Sequence, residues 1–167
     1  MPNRKTRIIT ISAMLAAVML VIGYVENLVP TGVPGIKLGL SNSVLILAIY
    51  WLGIPVAFVL MVVKVVLSGL LFSGVSAMMY SFAGGLLSMI GMSVMYKTKG
   101  FSSVTIAMVG AVLHNVGQVG LAMIVLETGR LAYYMGVLML VGLGTGFVTG
   151  TVAKMLMKRM PEMIQKR

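Results

Sequence analysis

Cysteine and aspartate are both absent from the 167-residue chain, histidine and tryptophan occur once each, and the acidic residues are three glutamates, Glu26, Glu127 and Glu162. Without cysteine there are no disulfides, no thiolate metal sites and no cysteine nucleophile. Without aspartate there is no carboxylate-rich segment to hold Mg2+. Hard cations need such oxygens, so the chain cannot by itself run magnesium-dependent diphosphate chemistry. A Walker A glycine loop is missing as well, which excludes ATP hydrolysis by this chain. These gaps point away from an enzyme and imply neither cofactor nor metal.

Charge is also scarce: 10% of the residues are charged, against about 25% in an average soluble domain. Apolar residues make up 59% of the chain and the mean hydropathy is +1.07, the composition of a membrane protein. The net charge of +10 does not point to nucleic acid, because the basic residues flank apolar stretches and so report membrane topology. Those stretches lie at about residues 8–25, 38–53, 55–72, 76–95, 102–126 and 131–157. They predict one all-α domain over residues 1–167, a polytopic bundle of six transmembrane helices in a lipid bilayer. A hydrocarbon core of ~30 Å needs ~20 helical residues, so the second stretch is short and the last two are long enough to tilt. The first stretch is too long for a signal-peptide core and lacks a small-residue cleavage site after it, so it reads as a retained helix.

Ten of the thirteen basic residues fall on one side of this layout: Arg4, Lys5, Arg7, Lys97, Lys99, Lys154, Lys158, Arg159, Lys166 and Arg167. The positive-inside rule makes that side cytoplasmic, with both termini inside a plasma membrane and residues 27–37, 73–75 and 127–130 outside.

Polar residues interrupt the apolar pattern in three places. The external connection "ENLVPTGVPGIK" carries two prolines, ends at Lys37 and precedes Ser41, Asn42 and Ser43, so continuous helix is disfavoured there. It reads either as a lid over an outward-facing pocket or as a plain surface loop with Asn42 capping a helix. In the fifth stretch, "GAVLHNVGQVG" places His114 and Gln118 on one helical face with Asn115 at its edge. Such groups at membrane depth face the bundle interior, as ligand contacts or as interhelical hydrogen bonds. Lys64 sits halfway along the third stretch, too deep to snorkel. It needs either Glu26 as a partner or a polar cavity that an anionic ligand would complete. Arg130 is a further cation on the outer side. Small residues form the remaining pattern. Ala13, Ala16, Ala17 and Gly23 read as one stripe on the first helix, with Ala13 and Ala17 spaced A-x-x-x-A, and Gly142, Gly146 and Gly150 repeat every four residues in the last. Such faces serve internal packing or a partner subunit.

The segments "PGIKLGLSNSVLILAIYWLG", "YSFAGGLLSMI" and "GAVLHNVGQVGLA" resemble the motifs of the Gx transporter family, often labelled heptaprenyl diphosphate synthase component I, over about residues 8–157. That family is similar to the substrate-binding S components of energy-coupling factor transporters. The resemblance implies a six-helix bundle whose A-x-x-x-A face, at Ala13 and Ala17, meets a transmembrane T component powered by two cytoplasmic ATPases. It also implies an outward pocket covered by the first external loop. The expected function is therefore binding and import of a small solute, anionic or like an isoprenoid or quinone precursor, with Lys37, Asn42, Lys64, His114, Asn115 and Gln118 as substrate-binding residues. The alternative is a membrane accessory of a polyprenyl diphosphate synthase.

Overall fold

The computed structural model describes residues 4–29, 37 and 39–159, and these are helical apart from short connections, with no strand among them. Six α-helices follow in order: α1 (Arg4–Leu28), α2 (Leu45–Leu52), α3 (Ile54–Ser68), α4 (Gly74–Thr98), α5 (Ser103–Val125) and α6 (Leu131–Arg159). A 3-10 turn, Leu40–Val44, leads into α2, and a π-type segment, Gly69–Ser73, extends α3.

Among the described residues four helical runs are long and apolar enough to cross a membrane: Lys5–Leu28, Ile54–Thr98, Ser103–Val125 and Leu131–Arg159. The second of these is not one rod. Gly74 has φ +80°, a conformation that ends the helix, and beyond it the chain folds back so that Met78 packs at Gly69 and Met61 at Gly85. Residue numbers that rise on one helix as they fall on the other make α3 and α4 an antiparallel pair. The second apolar stretch of the sequence differs more from its expectation. Its helical run, Leu40–Leu52, is shorter than a span, and every residue of α2 except Tyr50 is buried. A helix apolar on all sides belongs inside a bundle, and α2 lies there.

α5 is the other interior helix. It exposes large apolar side chains only in its last turn, at Ile124 and Val125, whereas α1, α3, α4 and α6 expose them along much of their length. Exposed apolar surface of this extent suits hydrocarbon rather than water. α5 packs antiparallel to both neighbours through small residues. Gly84 of α4 lies against the His114 carbonyl, and on α6 Gly142 faces Ala111, Gly146 faces Met108 and Gly150 faces Ala107 and Val104. The four-residue glycine repeat of α6 is thus an internal packing face. α5 begins where Ser102 accepts the Thr105 N–H at 3.1 Å, satisfying a donor that the first turn leaves free.

The small residues of α1 do not form a single stripe. Ala13 and Ala17 are exposed, Ala16 is half-buried, and Gly23 is buried against Ser41 and Phe72. At 100° per residue Ala16 and Gly23 lie about 20° apart but about 60° to 120° from Ala13 and Ala17, which separates an inner face from an outer one.

Candidate functional site

Three chain segments bring their polar residues together inside the bundle. α3 contributes Lys64, α5 contributes His114, Asn115 and Gln118, and the stretch before α2 contributes Lys37, Gly39, Ser41 and Asn42. Residues 30–36 and 38, the middle of the lid expected from the sequence, lie outside the described residues. The rest of the stretch is well defined by its bonds. Gly39 has φ +82°, and a Cβ there would stand 3.0 Å from His114 Cδ2, so only glycine lets the backbone pass over the imidazole in this conformation. The chain then enters the 3-10 turn, with the Asn42 N–H donating to the Gly39 carbonyl at 3.1 Å.

Glu26 fixes that turn from α1. Its carboxylate accepts the Leu40 N–H at 2.5 Å, the Ser41 N–H at 3.2 Å and the Ser41 hydroxyl at 2.7 Å. A carboxylate receiving the free N–H groups at the start of a helical turn is well placed electrostatically. Glu26 is therefore occupied, and no ion pair joins it to Lys64 among the described residues. The Lys64 ammonium instead donates to Asn42 Oδ1 at 2.9 Å.

A chain of contacts continues from there. Asn42 Nδ2 meets His114 Nδ1, and His114 Nε2 meets Gln118 Nε2. Gln118 pairs with the main chain of Lys37, accepting its N–H at 2.9 Å and facing its carbonyl at 3.5 Å. The Lys37 ammonium donates to Ser73 Oγ at 2.5 Å and lies 5.3 Å from the centre of the Phe72 ring. Burial lowers its pKa, and the charge of Glu26 opposes that shift. Asn115 turns away from the others: its Nδ2 donates to the Leu138 carbonyl of α6 at 2.7 Å, while its Oδ1 lies beside Gly39 with no partner among the described residues.

Five of the six residues expected to bind substrate, Lys37, Asn42, Lys64, His114 and Gln118, thus join in one network, with Asn115 at its edge. Ser73 joins it through Lys37, and Glu26 borders it by holding the turn that carries Asn42. Glu26 was visible in the sequence only as a possible partner for Lys64, and its role on the 3-10 turn has no local sequence signature. Arg130 is exposed and takes no part. The cluster is closed, since Asn42, Lys64, His114 and Gln118 are each no more than 2% exposed. It is also rich in donors. The Lys64 ammonium has three N–H groups and one described acceptor, and Asn42 and Gln118 both turn N–H groups toward one imidazole. A cavity of about 360 Å3 between α1, α2 and α6 differs sharply, being lined by apolar side chains such as Val18, Leu40, Val44, Trp51 and Val152.

A family model described as heptaprenyl diphosphate synthase component I matches residues 15–156. The chain belongs to that family. The matched span of heptaprenyl diphosphate synthase component I includes Glu26, the whole polar network and all of α2 to α5, together with Ala17 on α1 but not Ala13. No curated protein and no solved structure matches the chain.

Proposed function

We propose that the protein is the solute-binding membrane subunit of an energy-coupled importer, an S component of the energy-coupling factor type, with no catalytic activity of its own. The observation that carries this reading is a buried ammonium, Lys64, in a network with more donors than acceptors. A charge at that depth is costly unless a counter-charge or acceptor completes its bonds, and an anionic solute supplies both. An acidic isoprenoid or quinone precursor fits that chemistry. Because the cluster is closed, solute enters only when Lys37 and the turn from Gly39 to Asn42 move off α5, so these residues act as a gate.

In this reading the chain crosses the plasma membrane six times with both termini cytoplasmic, and α2 makes its crossing inside the bundle. Single cysteines at Thr98 and Thr128 test the layout, and native cysteine is absent, so the background is clean. In intact cells an impermeant thiol reagent labels the Thr128 position and leaves the Thr98 position unmodified. Labelling at Thr98 would overturn the arrangement. Thr31, on the same external loop as the gate, lies outside the described residues.

Import needs an energy source, and the proposed partners are a transmembrane T component with two cytoplasmic ATPases. Ala13 and Ala17 supply the docking face in this proposal, being small, exposed and one helical turn apart on α1. Ala13→Trp and Ala17→Trp point outward, so the variants fold and retain solute, yet they no longer co-purify with a T component and uptake stops. Unchanged uptake in both variants would refute docking at this face.

The family description favours a second reading, in which the chain is a membrane accessory of a polyprenyl diphosphate synthase. The same co-purification separates the two, because a synthase chain recovered in place of the T component and ATPases would support the accessory role. The donor-rich cluster supports the importer.

A further inference from the structure

Asn42, His114 and Gln118 make a set of contacts that cannot all be satisfied at once. A neutral imidazole has one ring nitrogen with a lone pair and one with a hydrogen. Here each ring nitrogen faces the nitrogen of a side-chain amide, Asn42 Nδ2 on one side and Gln118 Nε2 on the other. Both amides are held in that orientation from behind. Gln118 has its Oε1 on the Lys37 N–H, and turning it over would set oxygen against the Lys37 carbonyl. Asn42 has its Oδ1 on the Lys64 ammonium. Two N–H groups therefore compete for one lone pair, and whichever loses stands against the ring's own N–H. The Gly84 backbone also reaches the imidazole, a contact that is the same in the wild type and in the variants compared below. The Gln118 orientation is set by the main chain, which has no other option, whereas the Asn42 orientation is set by a cation that an incoming ligand can claim.

Resting on the solute-binding reading above, we propose that an anionic ligand, taking the spare N–H groups of Lys64, draws the ammonium off the Asn42 carbonyl, so that the Asn42 amide turns over and accepts from His114 Nδ1–H. The class of ligand follows from this step: its anionic group offers Lys64 an oxygen acceptor better than an amide carbonyl, as a carboxylate or phosphate does. Asn42 is then a positioning residue that reports occupancy of Lys64 to the imidazole. It lies in the 3-10 turn that follows Gly39, so the same rotation reaches the stretch that covers the site.

His114 is the single histidine of the chain, so histidine labelled with 15N gives ring signals from one residue. The full-length protein is measured in lipid nanodiscs without added ligand. In the wild type both ring nitrogens show shifts between the protonated and bare values, because two tautomers are populated. Lys64→Met frees the Asn42 carbonyl and moves the ring to the tautomer with hydrogen on Nδ1 alone. Gln118→Met removes the competing donor at Nε2 and moves the ring the opposite way, to hydrogen on Nε2 alone. Opposite displacements establish the switch. A ring tautomer that is the same in the wild type and in either folded variant overturns it. With retained solute first washed out, this readout is independent of uptake: an unmoved tautomer rejects the switch whatever transport does, and a moved tautomer with intact transport in Lys64→Met rejects Lys64 as the ligand contact, and with it the ligand-driven step, while the ligand-free coupling of Lys64 to the ring stands.

Discussion

Lys64→Met lowers affinity for the solute thirtyfold or more and leaves the protein folded. The expected loss is about 2 kcal/mol, the typical effect of removing a charge-assisted hydrogen bond from a dry site. The folded state survives because of how the partners are allocated. If Lys64 were the counter-ion of Glu26, its removal would strand a buried carboxylate, at a cost of about 3–5 kcal/mol in stability. Glu26 instead keeps its three donors from Leu40 and Ser41. Methionine of similar length fills the space and removes an expensive charge from the interior. Native mass spectrometry of the gently purified protein identifies the retained solute, and titration of that solute with melting curves on the same samples gives both numbers. A fall in melting temperature with affinity intact would reject the binding role of Lys64.

The largest effect on stability is expected on α6. A Cβ at Gly146 would lie 2.6 Å from Met108 Cα and 3.0 Å from the Ala107 carbonyl, both main-chain atoms of α5 that cannot swing aside. Gly146→Val must therefore push two helices apart along an interface that holds them by close approach, and a loss of about 3 kcal/mol or more follows. Gly144 is the internal control, two residues away on the outer side of the same helix with no atom within 4 Å of its would-be Cβ. Gly144→Val leaves the melting temperature of the purified protein nearly unchanged. Equal melting of the two variants would show that α5 and α6 are not packed as described.

The contrast between Gly146 and Ala13 marks where sequence reading reached and where it stopped. Apolar stretches and isolated polar residues are written in hydrophobicity, so the helices and the gathering of Lys64, His114 and Gln118 in one interior could be anticipated. A four-residue spacing of small residues is the same string whether it meets a neighbouring helix or the bilayer, so the opposite placements of Gly146 and Ala13 had to come from the packing. The surroundings of Lys64 were likewise open, because the sequence offered Glu26 or a polar cavity, and the Asn42 carbonyl as its acceptor emerges only from the placement of the 3-10 turn. The burial of α2 was hidden for a related reason: a short apolar helix, Leu45–Leu52, looks the same inside a protein and inside a membrane.

α1 carries the exposed Ala13 and Ala17 on its outer side and, about three turns further along, the Glu26 carboxylate clasping the turn that bears Asn42. The helix is continuous between them. A protein that grips the small face and tilts or twists α1 therefore pulls on the main chain at Leu40 and Ser41, and the turn must either follow the helix or give up three bonds to a buried carboxylate. The first course leaves the turn and the gripped face moving as one body, a lever whose handle is the outer side of α1 and whose load is the cover of the polar cluster.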